Sequence, residues 1–145
     1  CMKLPILLLA LGLFFLAGCQ RSIEPINYGK DECYWCQMKI MDPQFGSEAI
    51  TSKGRTYKFD SAECLLLYLA QSDAEHAHVA VTDFDNPHQL FAADSATFLI
   101  SEKMPSPMGA NLNAFKSAEQ AHMYHGKNGG TLYTWPEMLK NYKDR

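Results

Sequence analysis

A ten-residue pattern recurs in this chain. Phe59-Asp-Ser-Ala-Glu-Cys-Leu-Leu-Leu-Tyr68 and Phe115-Lys-Ser-Ala-Glu-Gln-Ala-His-Met-Tyr124 agree at five of ten positions with a constant offset of 56. In each copy serine stands where a helix needs an N-cap and glutamate follows in the first turn, so each copy opens a helix after a strand. A repeat that also keeps the order of its elements confines the fold to two versions of one supersecondary unit. Around the first copy, residues 45–51 and 55–59 read as strands joined by Ser52-Lys53-Gly54, a tight hairpin signal. Asp60 or Ser61 caps a helix whose apolar face is Leu65, Leu66, Tyr68 and Leu69 and which ends near Ser72; residues 78–84 then alternate as a strand. Residues 89–93 and 96–101 are further strand candidates, residues 117–125 a second amphipathic helix, and residues 126–130, with three glycines, its stop. Residues 131–135 read as a strand and residues 136–142 as a last helix with Pro136 in its first turn. The expected fold class is α+β: two similar ββαβ-like halves, about 31–94 and 95–145, each laying a helix on a short antiparallel sheet.

The N-terminus sets the compartment. Lys3, the apolar run at residues 4–16 and then Leu16-Ala17-Gly18-Cys19 have the parts of a secretory signal ending in a lipobox. Residues 2–18 are expected to be removed as a lipoprotein signal peptide, Cys19 to carry the lipid and residues 19–30 to form a leash. This places the domain at the bacterial cell envelope, held to the membrane by its lipid anchor and facing the periplasm or the outer face of the membrane. A formal net charge of −3 argues against a nucleic-acid partner, which would need a basic stripe. Of the five cysteines, Cys1 precedes the expected initiator Met2 and Cys19 is the tether. Cys33, Cys36 and Cys64 remain in an oxidising compartment. Three is an odd count, so at least one thiol is left for reactivity or a metal.

Cys33-Tyr-Trp-Cys36-Gln-Met38 gathers two thiols and a thioether within six residues. A bare Cys-x-x-Cys serves disulfides, zinc and redox pairs alike, but the added Met38 tilts the set toward Cu(I), since soft thiolate and thioether ligands suit that ion and zinc rarely takes Met. Met104 and Met108 flank Pro105-Ser106-Pro107, a segment whose prolines exclude regular structure, and a proline-stiffened loop ending in Met108-Gly109 holds a thioether at a fixed position. Met104, Met123 and Met138 read as flexible core filler. Cys64 lies among apolar residues of the first helix and reads first as a buried structural thiol, with supplementary ligand or disulfide partner as alternatives. His122 and His125, three apart on a helix, read as solvated helix-end residues rather than ligands.

With the lipobox, Cys33-Tyr-Trp-Cys-Gln-Met38, Lys53-Gly-Arg-Thr-Tyr-Lys-Phe-Asp60 and Ser106-Pro-Met-Gly109 in that order, the sequence resembles the NosL family of copper-binding lipoproteins over essentially the whole mature chain. The resemblance implies a NosL-like domain at residues 31–145 with two related ββαβ halves. It implies binding of one Cu(I) and delivery of copper for assembly of the nitrous oxide reductase copper centres. Apo nitrous oxide reductase and an ABC-type maturation complex are the implied partners. The family's metal motif falls on Cys36 and Met38, with Cys33 the less uniformly shared position, and its Pro-Met-Gly methionine on Met108. Gln37 stands where many relatives have Gly, and Cys64 is an addition. The expected role is that of a carrier and not an enzyme. The alternatives are a thiol–disulfide oxidoreductase using Cys33 and Cys36, disfavoured because the pair precedes every strand, and a disulfide-stapled structural lipoprotein, which leaves Met38 and Met108 unexplained.

Overall fold

A computed structural model of the chain describes residues 22–145; the expected signal segment and Cys19 lie outside them. The first half runs β1 (Ser47–Thr51), β2 (Thr56–Phe59), α1 (Ala62–Gln71) and β3 (His76–Thr82). The second runs β5 (Thr97–Ile100), β6 (Leu112–Phe115), α2 (Ala118–Asn128) and β7 (Thr131–Thr134). Between them lie β4 (Leu90–Ala92) and one turn of 3-10 helix, and α3 (Trp135–Lys143) closes the described chain.

Both sheets are antiparallel, with strand orders β2-β1-β3-β4 and β6-β5-β7. The first strand of each half is therefore central, with its hairpin partner on one side and the strand after the helix on the other. Registers correspond as well: Ser47 lies opposite Phe59 and Thr97 opposite Phe115, the two aromatic residues that open the repeat. The expected α+β class with two ββαβ-like halves is what the chain adopts. β6, expected only from the repeat and not from its own residues, begins and ends 56 positions after β2.

Several boundaries differ from the sequence expectation. β3 begins two residues earlier than the alternating pattern suggests, because Thr51 pairs with His76 beyond a register shift at the end of β1. α2 passes through Gly126 and stops at Gly129, whose φ of +70° ends the helix, with its N–H bonded to the His125 carbonyl at 2.8 Å. Of the expected leash, residues from Glu24 onward lie on the domain: the Glu24 N–H bonds the buried Glu48 carboxylate at 2.9 Å and Ile26 packs into the core.

The main core joins the two halves. Phe59, Leu65, Leu66 and Val81 from the first pack in one cluster with Phe98, Leu112 and Ala114 from the second and with Trp135, Met138 and Tyr142 of α3. α3 is opened by Pro136 and by a capping box in which the Thr134 N–H bonds the Glu137 carboxylate at 2.7 Å. Its apolar face lies on α1. A smaller cluster of Leu99, Met104, Phe115 and Ala121 lies under α2. Met104 and Met138 are core residues as expected, whereas Met123 is 44% exposed: it sits on a face of α2 that no element among the described residues covers.

Candidate metal centre

The segment before β1 has no periodicity, and its backbone folds into a tight turn instead. The Gly29 N–H bonds the Ile40 carbonyl at 2.8 Å, the Ile40 N–H bonds Asp31 at 3.0 Å, and the Cys33 N–H bonds Met38 at 2.8 Å. The Gln37 N–H closes the tip onto the Cys33 carbonyl at 3.0 Å. Closing a turn this small forces Gln37 into the left-handed region, at φ +62°. Glycine would adopt that backbone without strain, which accounts for the glycine that the family resemblance puts there. Here the Gln37 amide donates to the Tyr34 carbonyl at 2.7 Å and holds the same geometry with a side chain.

Two ties fix this turn to the first sheet. The Tyr34 N–H bonds the Lys58 carbonyl on β2 at 2.9 Å, and the Lys58 ammonium reaches Asp31 at 2.8 Å and the Pro25 carbonyl at 3.0 Å. The Tyr34 ring lies against Tyr57, with centroids 4.5 Å apart, and edge-on to Tyr68 at 5.7 Å. Burial alone would raise the Asp31 carboxyl, but the hydrogen bond from Lys58 and the Asn27 N–H hold it below the ordinary carboxylate range.

Cys64 arrives from the opposite direction. Ser61 leaves the helix with φ −155°, and its hydroxyl accepts the Cys64 N–H at 3.4 Å, so the N-cap of α1 sets the backbone of this cysteine in the first turn. The turn and the helix bring three sulfurs together: the Sγ atoms of Cys33, Cys36 and Cys64 all lie within 4.8 Å of one another, and all three are free thiols. Cys33 and Cys64 are 1% and 0% exposed and Cys36 is half-buried, so the cluster meets solvent on the Cys36 side. The sequence reading of Cys64 as buried was sound; its place beside the other two thiols is what the helical pattern does not reveal.

Proximity sets the three thiols apart and favours charge on Cys33. Hydrogen bonding from the Cys64 thiol, opposed by burial and aided by the Cys36 and Asp60 N–H groups, pulls the Cys33 thiol down to about 5. Cys64 is pushed up, first by that same hydrogen bond and then by burial and the Cys33 charge. Burial, then the Cys33 thiolate, raises Cys36. The Asp60 carboxyl is raised by burial first and by the same thiolate second. The arrangement favours a thiolate at Cys33 beside two thiols, in a site open to solvent on the Cys36 side. A soft monovalent cation that takes the place of one of those protons leaves the net charge of the cluster unchanged, and no histidine or carboxylate competes for it within the cluster.

The thioethers lie further out. Met38 is 48% exposed at the end of the turn, and Met108 is 37% exposed on the loop between β5 and β6. That loop is pinned in several places. The Gly109 N–H bonds the Ser106 carbonyl at 3.0 Å, the Leu112 N–H bonds the Ser106 hydroxyl at 3.3 Å, and the Asn113 amide bonds the Met104 carbonyl at 3.0 Å. The Ser106 hydroxyl also donates to the buried carboxylate of Glu63, the neighbour of Cys64 in the first turn of α1. The loop carrying Met108 is thus fastened to the helical turn that carries Cys64. His122 is exposed on α2, as expected, and His125 bonds the Gly130 carbonyl at 3.2 Å. No helix among the described residues is long and apolar enough to cross a membrane.

Comparison with known proteins agrees with this architecture. The chain is 30% identical over 149 residues to the copper-binding lipoprotein NosL of Stutzerimonas stutzeri, an alignment covering 91% of this chain and 78% of that protein. Its fold matches the crystal structure of the copper chaperone NosL from Shewanella denitrificans with a TM-score of 0.70 and 21% identity, over 83% of this chain and 96% of the other. The model of the NosL family matches residues 26–142, from the docked N-terminal segment to the last buried tyrosine of α3. Spanning both halves of the repeat and all three clustered thiols, that match makes this chain a member of the NosL family.

Proposed function

We propose that this protein is a Cu(I) carrier of the bacterial cell envelope that supplies copper for assembly of the nitrous oxide reductase copper centres. The observation that carries this reading is the cluster of three free thiols with the exposed Met38 thioether on the same turn. An all-sulfur set selects Cu(I) over harder ions, and thioethers at the surface give the metal a low-affinity way out. The copper-binding and chaperone names of the relatives support the same assignment. Transfer then needs no covalent chemistry: a partner's ligands replace Met108, Met38 and Cys36 in turn, each exchange leaving the ion bound by sulfur. Apo nitrous oxide reductase is the acceptor in this reading, and an ABC-type maturation complex assists. Lipidation at Cys19 keeps the carrier at the membrane face, facing the periplasm in a cell with two membranes.

A carrier explains the site better than an oxidoreductase does. A redox pair needs one attacking thiol and one resolving thiol, and here a third sulfur lies within 4.8 Å of both. Anaerobic titration of the reduced full-length protein against a chelator is the direct test, with one Cu(I) bound per chain and strong preference over Zn(II) as the expected outcome. Equal or tighter zinc binding would remove the copper assignment.

A further inference from the structure

Cys64 has no counterpart in the second half. The equivalent position of α2 is Gln120, with the same serine cap three residues earlier and the same glutamate one residue earlier. The helix therefore does not need a cysteine there to form or to be capped. What distinguishes position 64 is its neighbour: the turn at residues 33–38 is laid against it, and its sulfur meets two others from that turn.

The spacing suits one ion. Metal–sulfur bonds of about 2.3 Å put the sulfurs of a planar three-thiolate centre about 4 Å apart, and the three sulfurs already lie within 4.8 Å of one another. Both backbones are fixed, Cys64 by the Ser61 cap and Cys33 by its bond to Met38. A tetrahedral zinc site would need a fourth ligand, and among the described residues no His, Asp or Glu joins the three sulfurs in that group. Cys36, the half-buried member, is also the one closest in sequence to the exposed Met38.

We propose that Cys64 is a metal ligand, and that Cys33, Cys36 and Cys64 form an inner three-thiolate position for Cu(I) that shares Cys36 with an outer position made by the Met38 and Met108 thioethers. The inner position stores the ion away from water; the outer one presents it. Passage between them swings the ion about Cys36, exchanging two thiolates for two thioethers, with the vacated Cys33 and Cys64 pair taking up a proton from solvent. The inference rests on the copper-carrier reading and adds to it a resting place and a residue.

The test uses the reduced full-length protein in detergent with Cys1→Ser and Cys19→Ser, so that only the three clustered thiols remain. Met38→Leu and Met108→Leu are introduced together, and Cu(I) loaded under argon is measured by chelator competition and X-ray absorption. Three sulfur neighbours on copper are expected in this Met38→Leu, Met108→Leu protein, because the inner position is intact. Adding Cys64→Ser should reduce them to two and weaken binding by more than the about tenfold that even an outer-shell change brings. Loss of the third sulfur in the Met38→Leu, Met108→Leu protein with Cys64 still present would overturn the inner position, and that measurement does not depend on how Cys64→Ser folds. Unchanged sulfur count and affinity on adding Cys64→Ser would likewise return Cys64 to the core and leave the carrier reading standing. Failure of the starting protein to bind Cu(I) would instead remove both.

Discussion

α1 and α2 share a cap, a first-turn glutamate and a closing tyrosine, yet they are different objects. Six of the ten residues of α1 are buried, against Ala121 alone among the eleven of α2. The cause lies outside the repeat. α3 packs against α1, while the principal neighbours of α2 among the described residues are the strands of its own sheet. The hairpins diverge in the opposite sense: residues 52–55 connect β1 to β2, whereas residues 101–111 connect β5 to β6 and carry Met108. A duplicated backbone thus specifies caps, register and strand order. What is laid on it decides which helix becomes core and which loop becomes chemistry.

The contrast is sharpest at matched positions. Leu66 of α1 is fully buried and its partner in the repeat, His122, is exposed. Leu66→Ala should cost about 2–5 kcal/mol in denaturant unfolding, and His122→Ala should stay within about 0.5 kcal/mol. Similar costs for the two would mean that α2 is covered in solution and that the halves are more alike than they look.

Next in size is the turn after each helix. Gly130 follows α2 with φ +100°, and a β-carbon there would press on the Ile100 carbonyl of the central strand. Ala74, its partner after α1, has no left-handed backbone to satisfy. Gly130→Ala should lower stability by more than about 1 kcal/mol, read as a fall in melting temperature. A neutral result would show that the second half tolerates the looser turn of the first.

The smallest effect separates the halves electrostatically. Among the described residues both ion pairs, Lys58–Asp31 and Lys39–Glu32, belong to the first half, and the second of these is too exposed to matter. Asp31 has its folded pKa lowered, so its contribution is complete above the unfolded carboxylate range and is lost as pH falls through the folded value. Asp31→Asn should therefore cost up to about 1 kcal/mol at neutral pH. That difference should shrink as urea melts are repeated toward pH 3, near the ordinary carboxylate value of about 3.9. A gap independent of pH would assign the loss to the Asn27 turn instead of the charge.

Much of the fold was legible because its determinants are local. Ser61 and Ser117 are caps wherever they occur before an apolar period, and the repeat supplied β6 although Leu112-Asn-Ala-Phe115 is too short to declare itself. The partnership of Cys64 was not legible. Its helical position says only that it faces inward, and what it meets comes from a turn with no periodicity to place it. The one signal was arithmetic, an odd number of thiols in an exported domain. Met123 was misread for a related reason, since an apolar residue at helical spacing does not announce whether another helix will cover it.

The bond from the Tyr34 N–H to Lys58 has a consequence for behaviour in concentrated solution. β2 is the outer strand of its sheet, and an uncovered outer strand is a template for pairing with another chain. The cysteine turn occupies that border through Tyr34, and Lys58 adds a charge beside it. The segment that presents sulfur is therefore also the guard of an edge. Damage to it exposes β2 to strand addition, so colloidal stability and metal handling fail together.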